Sequence, residues 1–542
     1  MNQKLITFLL DPASYPHRPS RVDLVQTHAS LVFIAGREVY KVKKPVDFGF
    51  LDFSTLAKRR HFCEREVLLN GRLSPEMYLG VVPISRRGGQ LGFGKGERVV
   101  EYAVRMKKLS QGGCLDRLVD AGRIGKVELD RVAAKLREFY LAQHPTPEVE
   151  EWGRIDRLQI STDENFRQTE AYIGQTISAP VFRAIENYTN SFYRRHARDF
   201  KARVREGRIR DCHGDLHLEH VHLTARALHI FDCIEFNDRF RYVDVANDIA
   251  FLAMDLDHHE RPDLARYFAE RMETELDDQG IATLFDFYKC YRAYVRGKVE
   301  SFESAAPQIS EAERAGCVRR ARQYFQLALR YAVAGSGTPV LVVMGRVGSG
   351  KSSLATELSR ELGWTVYSSD RIRKELAGVP LTKRGDARAR RRLYSPTMTR
   401  RTYEALFVAA ESELTAGRGV ILDATFSRAI HREHVIRRLR GPTLFMEAHA
   451  PDRTIRKRLR ERDHAGDEIS DARHEDFASL SAAYETPDEL PPDQLLRISS
   501  GDPWEEVLPR ALNALVRKHL SRPAGSSSKK QFRRVAEQDS QS

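Results

Sequence analysis

The chain has 542 residues, too many for one compact domain, so two or three domains are the natural expectation. It is 41% hydrophobic and 30% charged with a net charge of +13, the composition of a globular protein with anionic partners, small or polymeric. The longest apolar runs, such as "PVLVVM" and "IAFLAM", are far short of the ~20 residues that cross a bilayer. The N-terminus has too short an apolar stretch for a secretory signal, and six cysteines without a CxxC pair point to reduced thiols in a cytoplasm.

In chain order, "SLVFIAGREVYKVKKPV" predicts a hairpin turning at Ala35-Gly36-Arg37, with Lys41 and Lys43 on one face of its second strand. "LAKRRHFCEREVLLNGRLS" predicts an amphipathic helix bearing Glu64 and Glu66. "CHGDLHLEHVHL", residues 212–223, holds four histidines. As a metal box it is poor: glycine interrupts "HGDLH", no glutamate follows His213, and His220 with His222 would need distant ligands. As a kinase catalytic loop it makes demands that the chain meets. An aspartate must orient the acceptor hydroxyl, a second must follow a nearby strand, and a strand lysine with a helix glutamate must come first. Asp215, Asp232 after the strand "LHIF", and the earlier lysines and glutamates stand in that order. Beyond them, Asp244 and Asp248 open a helix, and Arg292, Arg296 and Lys298 offer a basic surface for an anionic substrate.

On these residues, 1–332 resemble the aminoglycoside phosphotransferase and choline kinase superfamily, of protein-kinase-like fold. The resemblance implies ATP and Mg²⁺, with Asp215 as base, Asp232 and His220 at the metal, Lys41 rather than Lys43 on the phosphates, and Glu66 as its partner. It also implies an acidic residue, Asp244 or Asp248, that steadies the loop. Two positions depart from that family: His220 stands where asparagine is usual, and "THAS" (Thr27–Ser30) replaces a glycine-rich loop. They leave open a module that binds nucleotide or a partner without turning over. The basic surface argues against a polycationic acceptor.

Gly335, Gly337 and Pro339 break the helical pattern, which places a linker at 333–338. The strand "VLVVM" then leads into Gly345, Arg346, Val347, Gly348, Ser349, Gly350, Lys351, Ser352 and Ser353, the G-x-x-x-x-G-K-[ST] pattern. Glycines there let backbone N–H groups curl around phosphates, Lys351 reaches the β- and γ-phosphates, and the Ser352 hydroxyl suits Mg²⁺. "WTVYSSDRIRKELAG" reads as a strand ending at Asp370, which either accepts a proton from a hydroxyl or caps the next helix. "GVILDATF" ends a buried strand at Asp423, placed for the metal shell. Arg458 and Arg462, four apart on a predicted arginine-rich helix, share one face.

Residues 339–510 resemble the P-loop kinases that include polynucleotide kinases, zeta-toxin-like kinases and gluconate-type kinases, within the AAA_33 group. That resemblance implies Asp370 as base, Arg373 as a substrate-phosphate clamp, and Arg458 or Arg462 on the transferring phosphate. The expected architecture is therefore a bilobal α+β kinase-like domain (1–332) followed by a parallel-sheet α/β P-loop domain (339–520). A disordered basic tail (521–542) closes the chain. The expected activity is ATP-dependent phosphorylation of hydroxyl acceptors, small molecules first. Nucleic-acid ends are an option for the second domain, through Arg373 and the basic run at 382–392.

Overall fold

A computed structural model of the chain describes residues 3–307, 309–383, 386–464 and 469–521. The basic tail beyond Ser521, and Arg384 and Gly385 of the basic run, lie outside the described residues. The chain forms two compact units, one of Met1–Ser161 with His196–Lys289, the other of Thr162–Arg195 with the chain from Cys290 onward. The second unit thus begins well before 333. Helix Glu311–Ala334 belongs to it because Gln326 and Arg330 donate to the carbonyls of Arg360 and Leu362, at 2.8 and 2.6 Å. Regular structure is broken only from Gly335 to Pro339.

The first unit opens with a six-stranded antiparallel sheet: β1 (Val22–Gln26), β2 (Ser30–Ala35), β3 (Glu38–Lys43), β4 (Tyr78–Arg87), β5 (Gln90–Phe93) and β6 (Arg98–Lys107), in the order β1-β2-β3-β6-β4-β5. Gly36, at φ +65°, makes the β2–β3 turn without the strain a side chain would bring. Side chains alternate along β3, so Tyr40 and Val42 pack with Leu5, Leu9, Phe33 and Ala103 on one face. Lys41 and Lys43 are thereby turned to the other face, where Cys63 of helix Leu56–Gly71 packs on Tyr78, Val104 and Met106. Thr55 caps that helix by accepting the Lys58 N–H at 3.2 Å.

The rest of this unit is helical, with β7 (Ile209–Asp211), β8 (Val221–Leu223), β9 (Leu228–Ile230) and β10 (Tyr242–Asp244) as short antiparallel pairs, β7 with β10 and β8 with β9. Helix Val245–His258 is buried from Val245 through Leu256, Asp248 and Asp255 included. Buried carboxylates must find donors, and these two find them in the loop after β7.

The second unit carries a parallel sheet of β11 (Val340–Met344), β12 (Thr365–Ser368), β13 (Val420–Asp423), β14 (Thr443–His449) and β15 (Leu495–Ser499), in the order β12-β13-β11-β14-β15. Every residue of the central strand β11 is buried, as a strand covered on both faces requires. Its C-terminal end runs through the glycine-rich turn into helix Lys351–Leu362. Among the described residues no helix is long and apolar enough to cross a membrane.

Candidate functional site

In the first unit the two lysines of β3 converge on one glutamate. Lys43 Nζ meets Glu66 Oε2 at 2.7 Å and also pairs with Glu235, all three side chains being buried. Lys41 Nζ meets Glu66 Oε1 at 3.0 Å and Asp232 Oδ1 at 2.7 Å. Burial opposes the Lys41 charge, but Asp232 and Glu66 hold its ammonium well above the ordinary lysine value. Burial likewise pushes the Asp232 carboxyl up, and Lys41 with His220 overcomes it, keeping the group below the usual carboxylate range. Lys41 thus keeps some exposure beside the partly exposed Asp232, while Lys43 is enclosed between two buried acids. Glu64, by contrast, lies on the outer face of its helix, paired with Arg60 at 2.8 Å.

The histidine-rich loop meets these groups from below. Gly214, at φ +85°, has no room for a side chain, since a Cβ there would lie 2.7 Å from the Phe240 carbonyl oxygen. Asp248 accepts the backbone N–H groups of His213 and Gly214 at 3.0 and 2.9 Å, and the Tyr140 hydroxyl at 3.0 Å. Asp244 instead caps its helix and pairs with Arg203. His213 Nε2 donates to the Phe231 carbonyl at 2.9 Å, and burial lowers its pKa to about 4, so the ring is neutral.

His220 Nδ1 lies 2.9 Å from the Asp215 carbonyl oxygen, to which it can only donate. Its Nε2 then faces Asp232 Oδ2 at 3.5 Å. Asp215 Oδ2 is 3.5 Å from both His220 Nδ1 and His217 Nε2. Asp215, His217 and His220 offer ligand atoms within 4.8 Å of one another. Asp232 itself sits at φ +60°, a conformation that only surrounding structure sustains in a non-glycine residue. Asn70 supplies part of that support, its Oδ1 accepting the Cys233 N–H at 2.8 Å. The "THAS" segment forms a tight turn closed by Thr27 Oγ1, which accepts the Ser30 N–H at 3.0 Å.

In the second unit the phosphate-type turn is built as its glycines require. Gly350 adopts φ +89° against Arg458, whose Nη1 would be 3.0 Å from any Cβ, and Gly348 adopts φ +73°. Arg346 is turned away to Asp452 at 2.8 Å, and Val347 packs on Ile455, Leu459 and Phe477. Ser349 Oγ is buried without a hydrogen-bond partner, while Ser352 and Ser353 are exposed at the start of the helix. Asp423 is buried at the tip of β13 with Oδ1 unpartnered. Burial raises its pKa against Lys351 and Ser352, and Asp370 adds to the rise, so these groups share one site. An orphaned carboxylate oxygen beside a serine hydroxyl fits a divalent cation.

Asp370 is not at a strand tip. Strand β12 ends at Ser368, which is the N-cap, and Asp370 lies in the first turn of helix Ser369–Ala377, so it is not the cap either. Arg373 is buried on the ring of Tyr394, 4.6 Å from its centroid, and donates to Leu393 O and Thr399 Oγ1, both at 3.2 Å. Arg458 Nη2 donates to the Ser500 carbonyl at 2.5 Å, and Arg462 lies one turn further on the same helix, Asp452–His464. In the basic run, Arg390 pairs with Asp476 and Glu475. Lys298 is occupied by Asn165 and Gln168 at 2.7 and 2.9 Å, Arg292 is buried, and Arg296 lies over the Tyr324 ring, all three within the second unit. They form no basic surface in the unit that holds Asp215.

A family model described as "AAA domain" matches residues 340–487. "Uncharacterized protein Rv2004c" of Mycobacterium tuberculosis (strain ATCC 25618 / H37Rv) is 32% identical over 411 residues, 75% of this chain and 78% of that protein. The chain belongs to the family of that mycobacterial protein. This chain joins an α+β region built on an antiparallel sheet to a parallel-sheet P-loop region that the family model covers. Among solved structures, a gluconokinase from Sinorhizobium meliloti 1021 is similar over 34% of this chain and 93% of its own (19% identity, TM-score 0.25). A choline kinase from Cryptosporidium parvum Iowa II is similar over 60% and 94% respectively (8% identity, TM-score 0.38).

In this family member several site residues were not singled out by sequence. Glu235 is one, although an acid in the apolar run "HIFDCIEF" was a signal. Asn70 is another, a polar residue on the buried face of its helix. Asp471 left no signal: it is buried beside Lys374 at 3.5 Å, across nearly a hundred residues of chain.

Proposed function

We propose that the protein is an ATP-dependent phosphotransferase with two sites, each placing an acceptor hydroxyl in line with the γ-phosphate of a bound nucleotide. The observation that carries the reading is the approach of Lys41 to Asp232, 191 residues apart, at 2.7 Å beside Asp215. Lys41, oriented by Glu66, would hold the α- and β-phosphates, and Asp215 would accept the hydroxyl proton. In the second unit, backbone N–H groups from Gly348 to Ser352 and Lys351 would cradle the phosphates, with Asp370 near the acceptor and Arg373 positioning it. Ser352 with Asp423, and Asp232 with His220, are the groups that would hold divalent cations. A cation there neutralises charge on the phosphates.

Asp215→Asn and Lys351→Ala, each made in the full chain, test the reading by phosphate transfer from labelled ATP into a metabolite extract. Each variant should lose one set of labelled products and keep the other. Loss of every product in both variants, or of none in either, rejects two independent sites. A second reading is that the first unit binds nucleotide without transfer. Its support is the closed Lys41–Asp232 pair and the imidazole at position 220. ATP binding that persists with no product lost in Asp215→Asn would favour it.

A further inference from the structure

We infer that the cation site of the first unit is built for an imidazole-binding transition metal such as Mn²⁺ or Co²⁺ rather than for Mg²⁺, with His220 Nε2 and Asp232 Oδ2 as its protein ligands. The inference rests on the kinase reading for the site's use, not for its existence. Three observations carry it.

The first is the tautomer. A carbonyl cannot donate, so the 2.9 Å contact with Asp215 O puts a proton on His220 Nδ1, and in the neutral ring the lone pair is then on Nε2. Histidines that ligate metals are held in this way, by an N–H to a backbone carbonyl or carboxylate that fixes the ring and raises its basicity. The second is what the lone pair faces. It points at Asp232 Oδ2, 3.5 Å away, while Oδ1 of the same carboxylate is taken by Lys41 at 2.7 Å. Two lone pairs opposed at that distance repel unless a cation lies between them. Bonds of about 2.1 Å at a tetrahedral angle separate two ligand atoms by about 3.4 Å, close to the spacing present. The third is the surrounding donor set. Asp215 and His217 bring a further carboxylate and a second imidazole within 4.8 Å of a ligand atom of His220. The ring of His217 lies 3.9 Å from that of His220, tilted by 44°, and limits its rotation.

Mg²⁺ takes oxygen ligands and holds its waters, whereas divalent ions of the first transition row accept imidazole nitrogen, Co²⁺ more strongly than Mn²⁺. Replacing asparagine-type oxygen by nitrogen at position 220 thus changes which ion the site prefers.

The test uses the full chain carrying Gly350→Ala and Ser352→Ala, so that the second unit contributes less metal and no nucleotide binding, and is run without nucleotide. Mn²⁺ is added and followed by pulsed electron paramagnetic resonance, with calorimetric titrations of Mn²⁺, Co²⁺ and Mg²⁺ beside it. Imidazole nitrogen coupling to bound Mn²⁺ is expected. It should disappear in His220→Asn, which should also bring Mg²⁺ affinity level with that of Mn²⁺. In the parent, Mg²⁺ should bind about tenfold or more weakly than Mn²⁺. Absence of nitrogen coupling, or unchanged metal preference in His220→Asn, overturns the inference and leaves His220 as an ion-pair partner of Asp232. Nucleotide binding is measured separately on the same samples. ATP binding without nitrogen coupling keeps the kinase reading and removes this one; nitrogen coupling without ATP binding does the reverse.

Discussion

Gly214 donates its backbone N–H to the buried carboxylate of Asp248 at 2.9 Å, and this bond ties the loop of Asp215 to a helix that has no solvent face at that point. The neighbouring N–H of His213 reaches the other oxygen at 3.0 Å, so one carboxylate fixes two consecutive peptides. Asp248→Ala would remove the buried acceptor that both N–H groups and the Tyr140 hydroxyl share. The expected loss is about 3 kcal/mol in stability of the first unit. Asp248→Asn keeps one acceptor oxygen and should cost less. Urea unfolding of the two variants, followed by probes in that unit, checks the order.

Lys41 and Lys43 look alike in sequence and should behave oppositely when removed. Lys43→Ala strands Glu235 in the interior and leaves Glu66 with Lys41 alone, which costs about 3–5 kcal/mol. Lys41→Ala leaves Glu66 paired with Lys43, so stability should change little while nucleotide affinity falls. Parallel urea and ATP-binding titrations separate the two effects. A Lys43→Ala protein as stable as the parent would contradict the buried pairing.

Stability of the first unit should fall in mild acid through His213. Its pKa is depressed from 6.5 to about 4 by burial, so the folded state disfavours the charged ring. A group depressed in this way contributes stability above its unfolded pKa and loses it as pH falls towards the folded value. The contribution is roughly 3 kcal/mol, present above pH 6.5 and lost between there and about pH 4. His213→Gln removes this titration, so its stability relative to the parent should improve steadily across that window. Unfolding midpoints at pH 7.5, 5.5 and 4.5 provide the measurement.

On the proposed reading, Asp423 is a site residue kept at a cost to the fold. Its Oδ1 is buried without a partner and its pKa is raised by burial. Asp423→Asn should therefore raise the thermal midpoint of the nucleotide-free protein above neutral pH. It should also weaken metal-dependent binding of ATP at the second site. Calorimetric melting with and without nucleotide and divalent cation reads both changes; a lower midpoint without ligand would count against the cost of the unpartnered Oδ1.

Gly350→Ala should block the second site outright. The residue sits at φ +89°, and a Cβ would crowd Arg458 Nη1 at 3.0 Å and Ser500 Oγ at 3.3 Å. Loss of ATP binding there with the sheet intact, judged by circular dichroism, is the expected outcome.

Sequence alone determined what local chemistry dictates. The hairpin at Gly36 follows from a turn residue between alternating strands, and the P-loop follows from glycines between a buried strand and a helix. Asp215 and Asp232 could be picked out because a kinase loop demands two acids in a set order. What sequence could not decide was which groups meet across long stretches of chain. That both lysines share Glu66, that Glu235 encloses one of them, and that Asp248 holds the loop all depend on packing between elements up to 192 residues apart. Helix Glu311–Ala334 meets helix Lys351–Leu362 in the same way, through side chains that bond to a distant helix end. The exchange of asparagine for histidine at position 220 was visible from the start. Only the tertiary structure fixed its meaning, because the bond to the Asp215 carbonyl decides which ring nitrogen keeps its lone pair and which carboxylate it faces.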